Sequence, residues 1–333
     1  MIEDAYEQVC SFENLYNGFL KVSEDGKFKR ATIRYSYHLE ENLIQLQNEL
    51  LWGTYEIGNF YKFIKYEPKR REINALPYKD RVLQSALCLV IEPEISKRFI
   101  YDSFACREGK GVLKAATRMS YFLKKKNTMF YLKCDISKYF DSVDLDVAFN
   151  LYQRDISDKR ILYLIYKILH KDNPDKGIKI GNRLSQLTAN LVLNELDFYV
   201  KNVLKIKYYI RYMDDFVILG RSKSELNAIL KLIRAFLSDK LKLTLNNKTC
   251  IGKCTDGFEF IGYKFYPNKK LIKKQTLQRA KRFVRSWEKG NIKNDKFVRS
   301  LASMAGHAVH CSNYTSYMKL ILRALRKALD VKD

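Results

Sequence analysis

Two groups of aspartates carry the chemistry open to this sequence. Tyr212-Met213-Asp214-Asp215 lies between two short β-rich runs, Tyr208–Tyr212 and Phe216–Leu219. A hairpin tip ordinarily recruits Asn-Gly or Asp-Gly, because its residues need positive φ. Neither is present here, so the tip is expected to hold backbone strain. Strain beside two adjacent carboxylates suggests a site rather than a plain turn, although an Asp-Asp pair alone says little, aspartate being a favoured turn residue. The second group is Asp135-Ile-Ser-Lys-Tyr-Phe140-Asp-Ser142, which follows a run alternating Phe130/Leu132/Cys134 against Tyr131/Lys133/Asp135. Two strand ends of one sheet can bring Asp135 and Asp214 together, with Asp215 beside them. Carboxylates so close cannot all stay ionised unless cations neutralise them. Hard divalent ions suit such oxygen ligands, Mg²⁺ above all. Two of them, roughly 3.5–4 Å apart, would activate an attacking 3′-hydroxyl and stabilise a leaving pyrophosphate. The chemistry implied is nucleotidyl transfer.

The elements that must position these groups follow from patterning. Residues 1–65 read as helical with loops, Leu43, Leu46 and Leu50 sharing one face. A helix is expected after Pro77, with Val82, Leu83, Leu87, Leu89, Val90 and Ile91 in its apolar run. Phe130–Ile136 reads as a period-2 strand, Asn182–Val203 as helix, and Ser222-Lys-Ser-Glu225 as a capping box opening a helix that lines up Leu226, Ile229, Leu230, Ile233 and Leu237. A strand is expected over Leu241–Leu245. Strand, helix, hairpin, helix and strand in this order describe an antiparallel sheet with helices on one face, an α+β arrangement.

Composition narrows the partner. The chain has 333 residues and a formal net charge of +24, with 47% hydrophobic and 13% aromatic residues but only 14 Gly and 5 Pro. That excludes disordered and collagen-like classes. No apolar run approaches the length of about 18 residues that a membrane span needs, and the N-terminus lacks a basic stretch followed by an apolar one. The seven cysteines, scattered from Cys10 to Cys311, form no disulfide framework, so a reducing, cytoplasmic setting is expected. Cys250 and Cys254 with His307, His310 and Cys311 lack a strong zinc spacing, and no zinc is expected. The excess charge asks for a polyanion such as a phosphate backbone. From Lys264 to Asp333 there are 18 Lys and Arg against 4 Asp and Glu, interleaved with Phe283, Trp287, Phe297 and Tyr314, a mixture suited to groove and stacking contacts with nucleic acid.

Taken in order, the motifs resemble those of reverse transcriptases. Tyr212-Met213-Asp214-Asp215 looks like their catalytic hairpin, and Asp135 through Ser142 like the first palm motif of the bacterial and group II intron branch. Tyr66-Glu-Pro-Lys-Arg-Arg-Glu-Ile73, Asp80-Arg-Val-Leu-Gln84 and Ala105-Cys-Arg107-Glu-Gly-Lys-Gly111 resemble the fingers. Ile180-Gly-Asn-Arg-Leu-Ser-Gln186 resembles the helix opening under the nascent base pair. Asn246-Asn-Lys248-Thr and Gly257-Phe-Glu-Phe-Ile-Gly-Tyr263 look like the late palm lysine and the primer-gripping hairpin. Most relatives carry Gln-Gly and Ser-Pro where this chain has Ile180-Gly181 and Ser185-Gln186, and this pattern is similar to that of reverse transcriptases of diversity-generating retroelements. Ser303-Met-Ala-Gly-His-Ala308 resembles that branch too, as does the size, with no room expected for maturase or endonuclease segments.

The resemblance implies a right-hand polymerase. Residues 1–65 would form an N-terminal extension and the start of the fingers, 66–130 the fingers, 131–265 the palm with a finger insertion around 155–180, and 266–333 a short, basic helical thumb. Asp135 and Asp214 would bridge two Mg²⁺ ions (Mn²⁺ a possible substitute), with Asp215 in support and the Ile136 carbonyl as an extra ligand. Lys69 and Arg71 would hold the triphosphate of an incoming dNTP, the Arg fork matching phosphate oxygens. Phe140 would be the steric gate that excludes a 2′-hydroxyl, Ile180, Gly181 and Gln186 would adjoin the nucleotide, and Lys248 would act as general acid toward pyrophosphate. Phe260, Ile261, Gly262 and Tyr263 would grip the primer. The implied partners are a template RNA, a DNA or RNA primer and a small basic homo-oligomeric accessory protein, with no membrane. The implied product is cDNA with errors at template adenines that replaces a variable repeat in a target gene. Two alternatives stay open at this point: a defence-type bacterial reverse transcriptase acting against phage, and a non-catalytic RNA-binding scaffold.

Overall fold

Period-2 runs become strands and 3.6-residue runs become helices along most of the computed structural model, which describes residues 2–24, 26–66, 70–171, 175–309 and 311–329. Helices α1 (Tyr6–Cys10), α2 (Phe12–Ser23), α3 (Arg30–Ser36) and α4 (Leu39–Leu51) precede a hairpin of β1 (Tyr61–Tyr66) and β2 (Arg70–Ala75). Next come α5 (Tyr78–Ser96), α6 (Val112–Leu123), β3 (Phe130–Asp135), α7 (Tyr139–Ser142), α8 (Leu145–Asp155), α9 (Lys159–Leu169) and α10 (Arg183–Phe198), the last prolonged by a π-helical turn, Tyr199–Val203. The chain continues through β4 (Tyr209–Tyr212), β5 (Asp215–Gly220), α11 (Lys223–Leu241), β6 (Cys250–Lys253), β7 (Phe258–Phe260), β8 (Tyr263–Phe265) and β9 (Lys270–Ile272) to α12 (Lys274–Glu288), α13 (Asn294–Ala308) and α14 (Tyr314–Leu329). Two compact units result. One comprises Met1–Cys106, Asp135–Ile206 and Lys231–Asn247, the other Arg107–Cys134, Lys207–Leu230 and Lys248–Asp333.

The first unit is built around α5, whose Val82, Leu83, Ala86, Leu87, Cys88 and Ile91 are wholly buried. Helix α2 approaches it closely at Gly18, where an added Cβ would come within 2.7 Å of the Val82 carbonyl oxygen. Ahead of the β1–β2 hairpin, the Tyr55 hydroxyl donates to Asp80 Oδ1 at 2.6 Å and the Gly58 N–H to Asp80 Oδ2 at 3.1 Å. This latch fixes the hairpin's lead-in to the start of α5. The short helix α7 is anchored through Tyr139, whose hydroxyl donates to the Ala189 carbonyl on α10 at 2.6 Å. Asp144 caps α8 by accepting from the Val147 N–H at 3.1 Å, and also accepts from Lys242 Nζ at 2.8 Å.

The second unit holds a four-stranded sheet in the order β4-β5-β3-β6. The β4–β5 and β3–β6 pairs are antiparallel, running from Tyr209↔Ile218 to Tyr212↔Asp215 and from Phe130↔Lys253 to Lys133↔Cys250. Leu132, Cys134, Phe216, Val217 and Ile218 are wholly buried, as the alternation predicts for β3. A smaller antiparallel sheet, β7-β8-β9, follows. The proposed capping box at Ser222 forms with a shift: the Glu225 N–H donates to Ser222 Oγ at 3.1 Å, but Glu225 Oε2 accepts from the Arg221 N–H at 2.8 Å. Strands gathered into antiparallel sheets beside segregated helices make the chain α+β.

Two expectations are corrected. Leu241–Leu245 is not a strand: α11 runs to Leu241 and Lys242 turns to φ +53, so only Leu245 bridges to Ile136. Its place as partner of β3 goes to β6. Three of the four aromatics of the basic C-terminal segment, Phe283, Trp287 and Phe297, are engaged with one another, while Tyr314 stays half-exposed. Trp287 and Phe297 stack at 4.2 Å and 7°, Phe283 adds at 5.5 Å, and Phe297 is wholly buried. They pack α12 on α13 because an apolar ring gains more from that seam than from solvent.

Candidate active site

The carboxylate hairpin has a two-residue tip, since Tyr212 and Asp215 are its last paired residues. Met213 sits in the left-handed region at φ +56, as expected of a tip without Gly or Asn. That conformation costs a side-chain-bearing residue about 1–2 kcal/mol, so the surroundings must hold it. They do so through Arg211, the largest fully buried side chain, whose Nη1 donates to the Met213 carbonyl at 3.1 Å. Tyr212, Met213, Asp214 and Asp215 are half-exposed, whereas Phe216 onward is dry. On the neighbouring strand, Lys133 Nζ lies 3.5 Å from Asp215 Oδ2.

Asp135 ends β3, half-exposed after the buried Cys134. Asn246 holds it twice: its N–H donates to the Asp135 carbonyl at 2.7 Å and its Nδ2 to Asp135 Oδ2 at 3.3 Å. The Ser137 N–H donates to the Thr244 carbonyl at 2.9 Å, which completes the Ile136↔Leu245 bridge. Both bonds are made by residues flanking Ile136, so the bridge itself does not use the Ile136 carbonyl. Among the described residues, no three His, Cys, Asp or Glu side chains are grouped to hold a metal ion as they stand. The donor chemistry nevertheless fits a hard divalent ion: Asp135, Asp214 and Asp215 are all carboxylates and all half-exposed. Lys248 is exposed in the turn ahead of β6.

The expected nucleotide-binding residues divide. Lys69 lies outside the described residues, and of Arg71 only the backbone is described, paired with Lys65 in the β1–β2 hairpin. Phe140 is half-exposed on α7, edge-on to Tyr139, and its carbonyl accepts from the Ile178 N–H at 2.7 Å. That bond, with the Gly177 N–H to the Val143 carbonyl at 2.8 Å, ties the segment before α10 to α7. Ile180 then lines an open cavity of about 510 Å³ together with Arg70, Glu72, Asn74, Asp141 and Lys179. Gly181 takes φ +105, and a Cβ there would meet Ile73 Cγ2 at 3.4 Å, so glycine is required by its conformation more than by space. Gln186 is exposed in the first turn of α10. The first unit therefore brings Phe140, Ile180, Gly181 and strand β2 into one neighbourhood.

The primer-grip expectation narrows. Phe260 and Tyr263 are wholly buried in the small sheet with Phe258 and Phe265, so neither side chain is accessible to a primer. Burial pushes the Tyr263 hydroxyl up to about 12. The accessible part is the turn between them, Ile261 (φ +42) and Gly262 (φ +91). Sequence reasoning missed Arg211 and Lys133. A cation inside the apolar run Tyr209-Ile210-Arg211-Tyr212, and another two residues before Asp135 on the same strand face, are the signals that point to them.

Residues 65–265 match the family described as Reverse transcriptase (RNA-dependent DNA polymerase). Protein YkfC of Escherichia coli (strain K12) is 26% identical over 305 residues, covering 78% of this chain and 78% of that protein. The group II intron-encoded protein LtrA of Lactococcus lactis subsp. cremoris is 23% identical over 303 residues, covering 67% of this chain and 49% of LtrA. Among solved structures, apo telomerase from Candida tropicalis truncated from its C-terminal domain superposes with a TM-score of 0.50 at 15% identity, over 71% of this chain and 60% of that one. That likeness concerns the fold alone.

Proposed function

Because the chain belongs to the reverse transcriptase family, whose members are RNA-directed DNA polymerases, we propose that it is the error-prone polymerase of a diversity-generating retroelement. It would copy a template-repeat RNA into cDNA with mutations at template adenines, for mutagenic replacement of a variable repeat. Fingers, palm and thumb would follow the boundaries expected above. The observation that carries the reading is Ile180: a half-exposed, β-branched apolar side chain opens the segment into α10 and lines the cavity beside Asp141. The Ser185-Gln186 pair in the first turn of α10 supports it.

Asp135, Asp214 and Asp215, with the Ile136 carbonyl, would hold two Mg²⁺ ions. When bound, such ions lower the pKa of a primer 3′-hydroxyl and neutralise a departing pyrophosphate. Arg211 holds the Met213 carbonyl, and with it the half-exposed tip that carries Asp214 and Asp215. Lys69 and Arg71 would grip the triphosphate, Phe140 would press on the sugar to exclude a 2′-hydroxyl, and Lys248 would donate a proton to pyrophosphate. The turn Ile261–Gly262 would meet the primer backbone. A net charge of +24 repels a basic accessory protein at long range, so an RNA between the two would supply the counter-charge, making the working particle a ribonucleoprotein. Among the described residues no helix is long and apolar enough to cross a membrane.

Copying a defined RNA and sequencing the cDNA tests this reading. Errors concentrated opposite adenine support it. A uniform, low error rate would favour the defence-type alternative instead, and an absence of extension by wild type would favour the non-catalytic scaffold.

A further inference from the structure

The two bonds from Asn246 to Asp135 fix different atoms. The N–H to the Asp135 carbonyl, at 2.7 Å, sets the backbone at the end of β3, and Nδ2 to Oδ2, at 3.3 Å, sets the carboxylate. A carboxylate tethered through one oxygen on a fixed backbone keeps little rotamer freedom, so its other oxygen, Oδ1, keeps one direction. An asparagine beside a turn ordinarily bonds its own backbone about two residues on. This amide instead reaches a strand end 111 positions away in the sequence.

Asn246 is itself anchored. After α11 ends, Lys242 turns to φ +53 and the chain from there to Asn246 forms a strap along the segment that follows β3. Lys242 Nζ donates to Asp144 Oδ2 at 2.8 Å at one end of the strap, Leu243 is buried, the Thr244 carbonyl accepts from the Ser137 N–H at 2.9 Å, and Leu245 bridges to Ile136. A side chain carried on a segment pinned at this many points can hold its partner to one geometry. The donor is also neutral. It turns the carboxylate without cancelling its charge, whereas an ammonium such as Lys133, 3.5 Å from Asp215, competes with a cation for the oxygen it meets. Hydrogen bonds to a carboxylate ligand govern how it is aimed at a metal ion and how tightly it binds one. We propose that Asn246 is a positioning residue for the reaction: it aims Asp135 Oδ1 at the divalent ions and so sets their affinity. Its action runs through Asp135 rather than on the nucleotide, and it rests on the ligand set proposed above.

Mn²⁺ binding to the full chain, read by water-proton relaxation without nucleotide or primer, is the test. Asn246→Ala removes the side-chain bond and keeps the backbone one. It should weaken Mn²⁺ binding roughly tenfold to a hundredfold. The Mg²⁺ concentration needed for primer extension should rise by a like factor, with the dNTP KM at saturating Mg²⁺ little changed. Asn246→His places a ring Nδ1 the same number of bonds from the backbone, and at a pH where the ring is neutral it should restore most of the Mn²⁺ affinity. Asn247→Ala alters the exposed neighbouring residue and should leave every readout as in wild type. A residue that only supports the fold would instead lower the urea midpoint and reduce extension equally at all Mg²⁺ concentrations. That pattern, or no rescue by Asn246→His, would overturn the positioning role. Asp135→Asn separates the role from the reading beneath it. If Asp135→Asn loses Mn²⁺ and Asn246→Ala does not, the role alone falls; if Asp135→Asn binds Mn²⁺ as wild type does, the ligand set falls and the role with it.

Discussion

Lys133 Nζ stands 3.5 Å from Asp215 Oδ2 on the neighbouring strand, the two side chains being 26% and 27% exposed. An ammonium thus shares the tip carboxylate that divalent ions are proposed to use. A partly exposed pair of this kind is worth about 0–1 kcal/mol, so Lys133→Met should tighten Mn²⁺ binding by up to about fivefold. Water-proton relaxation on the protein alone measures this without catalysis. Mn²⁺ binding weakened by Lys133→Met would remove Asp215 from the ligand set.

Arg211 is wholly buried beneath the same tip, donating to the carbonyl of a residue held at φ +56. Arg211→Met keeps an apolar stem but leaves that carbonyl without this donor. The expected loss is about 1–3 kcal/mol of stability, read from the urea midpoint. Because Met213 is then free to leave the left-handed region, kcat for primer extension should fall more than the dNTP KM rises. A stable variant with normal kcat would mean that the strained tip needs no clamp.

Two buried aspartates give the first unit opposite pH responses. Burial alone pushes Asp144 up, but the Lys242 hydrogen bond, the Val147 N–H and the charges of Lys242 and Lys176 bring it below its ordinary value of 3.8. Its contribution is therefore present above 3.8 and is lost as pH falls through the lowered folded value. Lys242 is raised above 10.5 by the same pair, so that half is lost only as pH rises through its own folded value. Asp80 runs the other way: burial raises it above 3.8, against the Tyr55 and Gly58 hydrogen bonds, so stability declines as pH climbs from 3.8 through the raised value. Asp144→Asn should flatten the acid limb of a stability-against-pH curve and Asp80→Asn the limb above it. If both variants reproduce the wild-type curve, neither carboxyl is perturbed as described.

What could be read from the sequence was whatever a local period encodes. Phe130–Asp135 forms a strand because alternate residues are dry, and α5 starts directly after Pro77, which stands at its N-cap in an extended conformation. Leu241–Leu245 deceived because its alternation is real while the backbone break at Lys242 is not written in residue type. Phe283, Trp287 and Phe297 deceived because an aromatic among lysines looks alike whether it meets a base or another helix. The strain at the Met213-Asp214 tip was legible through what the tip lacks, a Gly or Asn. Arg211 was not, because burial of a cation depends on the sheet around it rather than on its neighbours in the chain.

The fidelity prediction rests on Ile180. The bond between the Ile178 N–H and the Phe140 carbonyl fixes the segment that leads to it, and Gly181 at φ +105 sets the turn into α10 after it. Ile180 is thus held from both sides, yet it can offer a nucleotide only shape, since its side chain has no hydrogen-bonding atom. A glutamine there could add one polar contact to a correctly paired dNTP, worth roughly 0.5–1.5 kcal/mol. At about 1.4 kcal/mol per tenfold, discrimination should rise by a factor of about two to ten. The gain should be largest opposite adenine, where two Watson–Crick hydrogen bonds leave pairing weakest. Ile180→Gln should therefore lower adenine-directed errors more than errors at the other bases, with kcat for correct incorporation little changed because no metal ligand is touched. Sequencing cDNAs made by both enzymes on one RNA decides the matter: an unchanged adenine error rate would reduce Ile180 to a packing residue in the wall of its cavity.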